Sequence, residues 1–289
     1  GKAQVTRIDR SRTHLWKPLL HEVAAGSMDV DQHTLDYLAQ ARWHHFRFRL
    51  GSMAGLDRER RVVRVAPTHD DEGRLLIGER EIRYDTLVLA VGSGTNDFGT
   101  PGAQEHAISL DMPAQAERFH NRLINACIRA NAQREALRPE QLHVAIIGAG
   151  ATGVELAAEL HHTTRELVAF GLERIDAERD IRITLIEAGP RVLPALPERL
   201  STSTLELLEK LRVQVLTGAR VTAVEADGVL IADGRKVPAE LTVWAAGIKA
   251  PDFLKDLGLE TNKLNQLVVT PELQTTRDPD IFAMGDCAA

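Results

Sequence analysis

The chain has 289 residues, of which 44% are hydrophobic and 26% charged, with 35 Lys and Arg against 41 Asp and Glu for a formal net charge of -6. That length exceeds one ordinary core, and the composition is that of a folded protein, so two units, one interrupting the other, are expected and disorder is excluded. The acidic balance argues against a nucleic-acid partner, and Cys127 and Cys287 lack any paired spacing, which sets aside a disulfide framework, a metal site and a redox dithiol.

The chain opens on a short strand-like run, 3–8, ending in Asp9 with no glycine loop before it. The first strand, turn and helix of a dinucleotide fold are therefore expected upstream of Gly1, in a longer chain. An irregular apolar stretch follows at 15–25 with Trp16 and Pro18, then a helix-like run at 34–41. Between 46 and 65 apolar and charged residues alternate, as in strands with one wet face. The basic run 58–64 reads as a solvated turn and strand edge, and 70–73 as a turn. Residues 84–93 form a buried strand running into a small-residue turn; 96–102 is a loop. Helical spacing of Phe119, Leu123, Cys127 and Ala130 predicts a helix over 112–137, closed by Pro139.

A second unit starts at Leu142. Its strand 144–147 leads into a glycine turn, a helix over 154–170, a strand over 181–187, a helix over 198–211, strands near Val213, Val221 and Val229, and the run 241–247. Strands alternating with helices predict a parallel sheet covered on both faces. A last strand, 281–284, ends in Gly285-Asp286. No apolar run approaches the roughly 20 residues that span a bilayer, and no signal pattern opens the chain, so this stretch reads as soluble and cytoplasmic.

Gly148-x-Gly150-x-x-Gly153 follows an apolar strand and opens an apolar helix, the context that separates a dinucleotide fingerprint from a chance match. Gly148 permits the tight turn, Gly150 lets backbone N–H groups approach a pyrophosphate, and Gly153 allows close helix-to-strand packing. The helix N-terminus favours phosphate charge. Glu187 ends the next strand, where a carboxylate accepts from ribose hydroxyls and repels a 2′-phosphate, although it lies further on than the usual spacing of about 20 residues. The polar stretch 173–180 accounts for the excess as an extended helix or loop. NADH is preferred over NADPH, with Arg191 the residue most able to reverse that. Asp9 holds the corresponding strand-end position in the opening unit and suggests a second nucleotide site.

These motifs, with Leu89-Ala90-Val91-Gly92-Ser93, Trp244-Ala245-Ala246-Gly247 and Ile281-Phe282-Ala283-Met284-Gly285-Asp286, resemble the two-dinucleotide-domain flavoproteins of the pyridine nucleotide-disulfide oxidoreductase superfamily. The stretches 14–24 (around Trp16-Lys17-Pro18), Asn96-Asp97-Phe98 and 273–280 are similar to the bacterial type II NADH dehydrogenase, the single-subunit NADH:quinone oxidoreductase. That resemblance implies an α/β fold with two Rossmann-like FAD/NAD(P)-binding domains, the NADH domain (113–250) inserted into an FAD domain (1–112 and 251–289). It implies FAD near Asp9, Met53, Ala90, Gly92, Gly285 and Asp286, with Lys17 and Pro18 toward the flavin ring. Ala246 and Gly247 join the glycine loop on the NADH side, and Glu155 reaches the reacting end of the nicotinamide. Lys17 and Glu155 are the candidate catalytic residues; for Glu155, complementing the helix dipole is the alternative.

The implied activity passes a hydride from NADH to flavin and two electrons to a quinone of the respiratory chain. The quinone-lining and membrane-binding parts are expected beyond Ala289, as are the contacts of a homodimer, with the whole enzyme at the inner face of the cell membrane. Two alternatives stand: another NAD(P)H-dependent flavoprotein reductase of the same fold, and, for this stretch alone, a non-catalytic NAD(H)-binding module.

Overall fold

The computed structural model describes residues 3–289 and divides into two units, Gly1–Leu15 with Thr34–Gly94 and Ile248–Ala289, and Trp16–His33 with Thr95–Gly247. The second is organised by short runs of apolar, largely β-branched residues. His143–Ile147 and Leu241–Trp244 are buried along their whole length, and Arg182–Ile186 at all but its first residue. Runs of that kind suit the middle of a parallel sheet covered on both faces.

They form a five-stranded sheet in the order Ala107–Ser109, Leu241–Trp244, His143–Ile147, Arg182–Ile186, Gln214–Leu216, with every pairing parallel. From His143–Ile147 the chain builds outward through two strands, then returns to the opposite side at Leu241–Trp244. The strand order therefore reverses between these two central strands. In open α/β sheets the crevice at the carboxyl ends of such a pair is where ligands bind.

Helix Ala151–Ala169 buries Gly153, Leu156, Ala157, Leu160 and Thr164, and Pro113–Ala132 buries Ala116, Phe119, Leu123, Ala126, Cys127 and Ala130. Both follow the three-and-four spacing of a helix with one core face. The second helix ends at Ala132, before the expected 137 and well before Pro139. Gln133 turns extended, Arg174 Nη1 donates to its carbonyl at 3.0 Å, and the Gln133 side chain bonds Gln141. A long-range bond from Arg174 to the C-cap carbonyl, rather than proline, closes the helix. An antiparallel meander, Val221–Glu225, Gly228–Ile231 and Lys236–Pro238, completes the unit, with Val224, Val229, Ile231 and Val237 in its core.

The first unit uses shorter sheets. Thr6–Asp9 pairs in parallel with Arg47–Leu50; Met53–Asp57, Val62–Val65 and Arg80–Arg83 form an antiparallel sheet; Leu87–Leu89 lies parallel to Asp278–Ala283. Its core gathers Leu89, Leu254, Leu267, Ile281, Ala283 and Cys287. The basic run lies at the turn between Met53–Asp57 and Val62–Val65, where Arg58 pairs with Asp278 at 3.1 Å, Arg60 with Glu81 at 2.9 Å, and Arg61 with Asp280. These cations are already matched by carboxylates. The expected helix at 34–41 runs instead over Tyr37–His44, because Asp36 caps it by accepting from the Ala39 N–H at 2.8 Å.

Two segments cluster on the other side of the expected boundaries. Residues 16–33, expected with the first unit, belong to the second, and so do residues 95–112. The physical reason lies in helix Leu20–Ala25, which buries Leu20, Val23, Ala24 and Ala25 while packing on Pro113–Ala132 and Ala151–Ala169. It ends at Gly26, φ 90°, where a Cβ would stand 2.1 Å from His120 Cε1. The His120 ring fills the space a side chain would need.

Candidate nucleotide sites

The glycine loop begins where His143–Ile147 ends, at the point of strand-order reversal. Gly148 has φ 103°, and a Cβ there would lie 2.7 Å from the Ala246 backbone. Across the crevice, the Ala245 N–H donates to the Ile147 carbonyl at 2.8 Å. The loop and the Ala245–Gly247 turn are thus locked to each other, at the ends of the two central strands. Gly153 is packed equally closely: a Cβ would meet Gly148 O at 1.9 Å.

Gly150 differs from both. Its φ is -72° and ψ -174°, a conformation open to any residue, and no atom lies within 4 Å of where a Cβ would stand. Fold packing does not require a glycine here, and the open space leaves room for a ligand. The first bond at this end of the helix joins Val154 N–H to Gly150 O, so the N–H groups of Ala151, Thr152 and Gly153 precede the helical ladder. Such a terminus suits a pyrophosphate.

Glu187 follows the strand Arg182–Ile186, and its carboxylate accepts from the Ala149 N–H at 2.8 Å and the Gly189 N–H at 2.7 Å. These charge-assisted bonds fix its orientation beside the glycine loop. Arg191 donates to Leu196 O, Ser201 Oγ and Pro194 O at 2.6 to 2.7 Å. Its guanidinium is thus engaged by the 194–196 loop and by Ser201 of helix Glu198–Lys210. The stretch 173–180 is a series of turns with Ile175 buried, not a helical extension.

The turn at Ala246 and Gly247 is fastened from the 96–99 loop. Trp244 Nε1 donates to Asn96 O at 3.0 Å and to Ala246 O at 2.8 Å, and the Phe98 ring occupies the space beside Gly247. Lys17 and Pro18 lie exposed on the short 3-10 helix Lys17–Leu19, in this same second unit rather than with the other residues expected at FAD. Glu155 is half-exposed on the glycine-loop helix, and its Oε2 lies 3.5 Å from His21 Nδ1. His21 was missed in the sequence: its partner is remote in the chain, and only its place three residues past Pro18, the spacing of a helical turn, hinted at a bond.

In the first unit, Asp9 ends Thr6–Asp9, accepting from the Ser11 N–H at 3.0 Å and from Arg7 at 3.1 Å. Arg7 also donates to the Tyr37 hydroxyl and lies over that ring; burial, then the Asp9 charge, pushes Tyr37 up to about 12. Met53 begins the strand Met53–Asp57, half-buried. Leu89 and Met284 are bonded through the backbone, which brings the 90–93 turn to Gly285-Asp286, and Ser93 Oγ donates to Asp286 Oδ2 at 2.7 Å. Gly92 and Gly285 have φ of 68° and 74° with nothing within 4 Å of a Cβ, and Ala90 is exposed. A strand-end carboxylate, two open glycines and a hydroxyl–carboxylate pair fit the ribose and polyol-phosphate parts of FAD.

Neither thiol suits redox chemistry. Burial pushes the Cys127 thiol up to about 11, and Cys287, buried, donates to the carbonyls of Leu89 and Met284. Among the described residues no cluster of His, Cys, Asp and Glu could hold a metal ion.

The family model for pyridine nucleotide-disulphide oxidoreductases matches residues 1–289. The chain is 42% identical to a type II NADH:quinone oxidoreductase of Haemophilus influenzae, covering 100% of this chain and 68% of that protein. It is 29% identical to the type II NADH:quinone oxidoreductase NdhA of Mycobacterium tuberculosis, over 98% of this chain and 60% of that protein. The chain therefore spans about 60 to 68% of the length of these relatives. In fold it is similar to NDH2 of Plasmodium falciparum, solved in complex with NADH, with a TM-score of 0.86 at 24% identity over 99% of this chain and 59% of that one. A ferredoxin reductase of Rhodopseudomonas palustris shares the fold at a TM-score of 0.74 and 22% identity, over 99% of this chain and 62% of that one.

Proposed function

Since the chain belongs to the pyridine nucleotide-disulphide oxidoreductase family and, within it, to the type II NADH:quinone oxidoreductases, we propose that it is the nucleotide-handling part of an enzyme that oxidises NADH and reduces a membrane quinone. The observation that carries the reading is the crevice between Gly148–Gly153 and Ala245–Gly247, at the carboxyl ends of the two central strands. We assign NADH to the second unit and FAD to the first. Gly148, Gly150 and Gly153 admit the pyrophosphate, Glu187 reads the adenosine ribose, and Ala246 and Gly247 form the opposite wall. Glu155 serves the reacting end of the nicotinamide, and Lys17 and Pro18 approach the flavin ring. Asp9, Met53, Ala90, Gly92, Gly285 and Asp286 hold FAD.

FAD, when bound, supplies the two-electron carrier between NADH and the quinone. The chain's own residues therefore need no acid or base; they bind, orient and exclude water. Glu187 selects NADH over NADPH because its fixed charge opposes a 2′-phosphate. Among the described residues no helix is long and apolar enough to cross a membrane. We assign the enzyme to the inner face of the cell membrane as a peripheral protein and a homodimer, a reading supported by its membership of a quinone-reducing family.

The test is spectroscopic. In the flavin-loaded enzyme, anaerobic NADH should bleach the flavin absorbance, and a soluble quinone should restore it. Flavin that NADH leaves unbleached overturns the reading, and NADH binding without flavin selects the simple binding module instead.

A further inference from the structure

Glu155 and the Lys17–Leu19 turn come from stretches far apart in sequence, yet one imidazole touches both. His21 Nδ1 lies 2.8 Å from the Pro18 carbonyl oxygen and 3.5 Å from Glu155 Oε2. A carbonyl only accepts, so the proton sits on Nδ1. The ring's other nitrogen lies 4.0 Å from Glu22 Oε1. The His21 side chain is 14% exposed, whereas that of Glu155 is 50% exposed.

Its mounting is rigid. His21 projects from Leu20–Ala25, whose apolar residues are buried and whose end is closed by Gly26 against the His120 ring. Glu155, by contrast, sits on an exposed face of the glycine-loop helix, where its flexible side chain would sample several rotamers. With its N–H held by the Pro18 carbonyl, the ring edge stands as a fixed dipole 3.5 Å from one Glu155 oxygen, which narrows that sampling and leaves the other oxygen toward solvent.

We propose that His21 is a positioning residue that, anchored on the Lys17–Pro18 turn, orients Glu155 for the nicotinamide half of NADH. This rests on the assignment of Glu155 to that half. His21 has no part in holding the adenosine or the phosphates, which fall to Glu187 and the glycine loop. Its contribution must therefore appear only with ligands that carry the nicotinamide.

The experiment compares NADH with ADP-ribose, which keeps the adenosine and both phosphates and lacks the nicotinamide, on the whole chain by calorimetry. His21→Leu should weaken NADH roughly fivefold and leave ADP-ribose unchanged, and His21→Asn, which returns an N–H near the Nδ1 position, should recover most of the loss. Glu155→Gln should weaken NADH selectively, and the double variant should lose less than the two single losses combined. Full additivity, or an unchanged NADH to ADP-ribose ratio in His21→Leu, overturns the proposal. Should His21→Leu fail to fold, NMR of the His21 ring decides: Glu155→Gln should shift its Nδ1 resonance, and an unmoved resonance overturns the coupling. If Glu155→Gln leaves the ratio unchanged, the assignment of Glu155 falls, and this proposal with it.

Discussion

The two units hold their candidate sites by different means. In the second, loop and turn are extensions of two adjacent, fully buried strands, and their relative placement follows from the parallel register of Val144–Ile147 on Leu241–Trp244. In the first, Asp9, Ser93 and Asp286 lie at or beyond the ends of separate, partly exposed strands, and their side chains are ordered by a few polar bonds at the surface. A site built on strand ends is rigid and fails abruptly when a glycine is lost, whereas a site ordered by exposed polar pairs fails by degrees.

Two glycines in one loop give the largest expected effects and separate packing from binding. Gly150→Val places a branched side chain in open space, in a conformation it accepts, so melting should move little while NADH affinity falls by roughly 100-fold or more. Gly153→Ala drives its methyl into Gly148 O, so stability should fall by about 3 kcal/mol or more, measured by thermal unfolding. If Gly150→Val destabilised the chain as much as Gly153→Ala, the open space would be structural and the abrupt-failure argument would lose its cleanest case.

Next in size is a pH effect confined to the second unit's sheet. His143 is 6% exposed, and burial, with the nearby Arg182, lowers its pKa to about 4. The unfolded chain binds this proton below about 6.5 and the folded chain only below about 4, so stability should fall as pH drops through that window. The full loss is about 3 kcal/mol. Burial shifts His120 and His161 in the same direction. Denaturant unfolding between pH 7 and 4.5 should show the slope, and His143→Asn should flatten it. An identical slope in the variant would assign the pH sensitivity to other groups.

The same contrast decides what the sequence made legible. The fingerprint at Gly148, the strands around it and the carboxylate at Glu187 are local: spacing, apolar runs and a strand end announce them. Helix Leu20–Ala25 is also visible as an apolar stretch, but its partner is not, because Gly26 fits only against a histidine nearly a hundred residues away. The grouping of Lys17 and Pro18 with the second unit follows from that long-range packing. The end of Pro113–Ala132 is hidden for the same reason, since Arg174, remote in the chain, bonds the C-cap carbonyl. Glu187's bond to the Ala149 N–H was equally hidden, although its position was not.

That bond makes Glu187 the next test. Glu187→Gln keeps the shape and an acceptor but removes the charge, so the preference for NADH over NADPH should narrow by about tenfold, measured as the ratio of dissociation constants. An unchanged ratio would mean that the ribose is read elsewhere, with Arg191 excluded only if its own replacement also leaves the ratio alone.

The smallest effect belongs to the first unit. Ser93→Ala removes one donor to Asp286, and that carboxylate is exposed, so water replaces the lost partner and the cost is about 0.5 to 1 kcal/mol. FAD affinity of the loaded enzyme, measured by flavin release on dilution, should drop by about threefold with the melting temperature nearly unchanged. A drop of the size expected at Gly150 would show that the Ser93–Asp286 pair is as indispensable as the glycine loop, and that exposed polar pairs in this fold can fail as abruptly as strand ends.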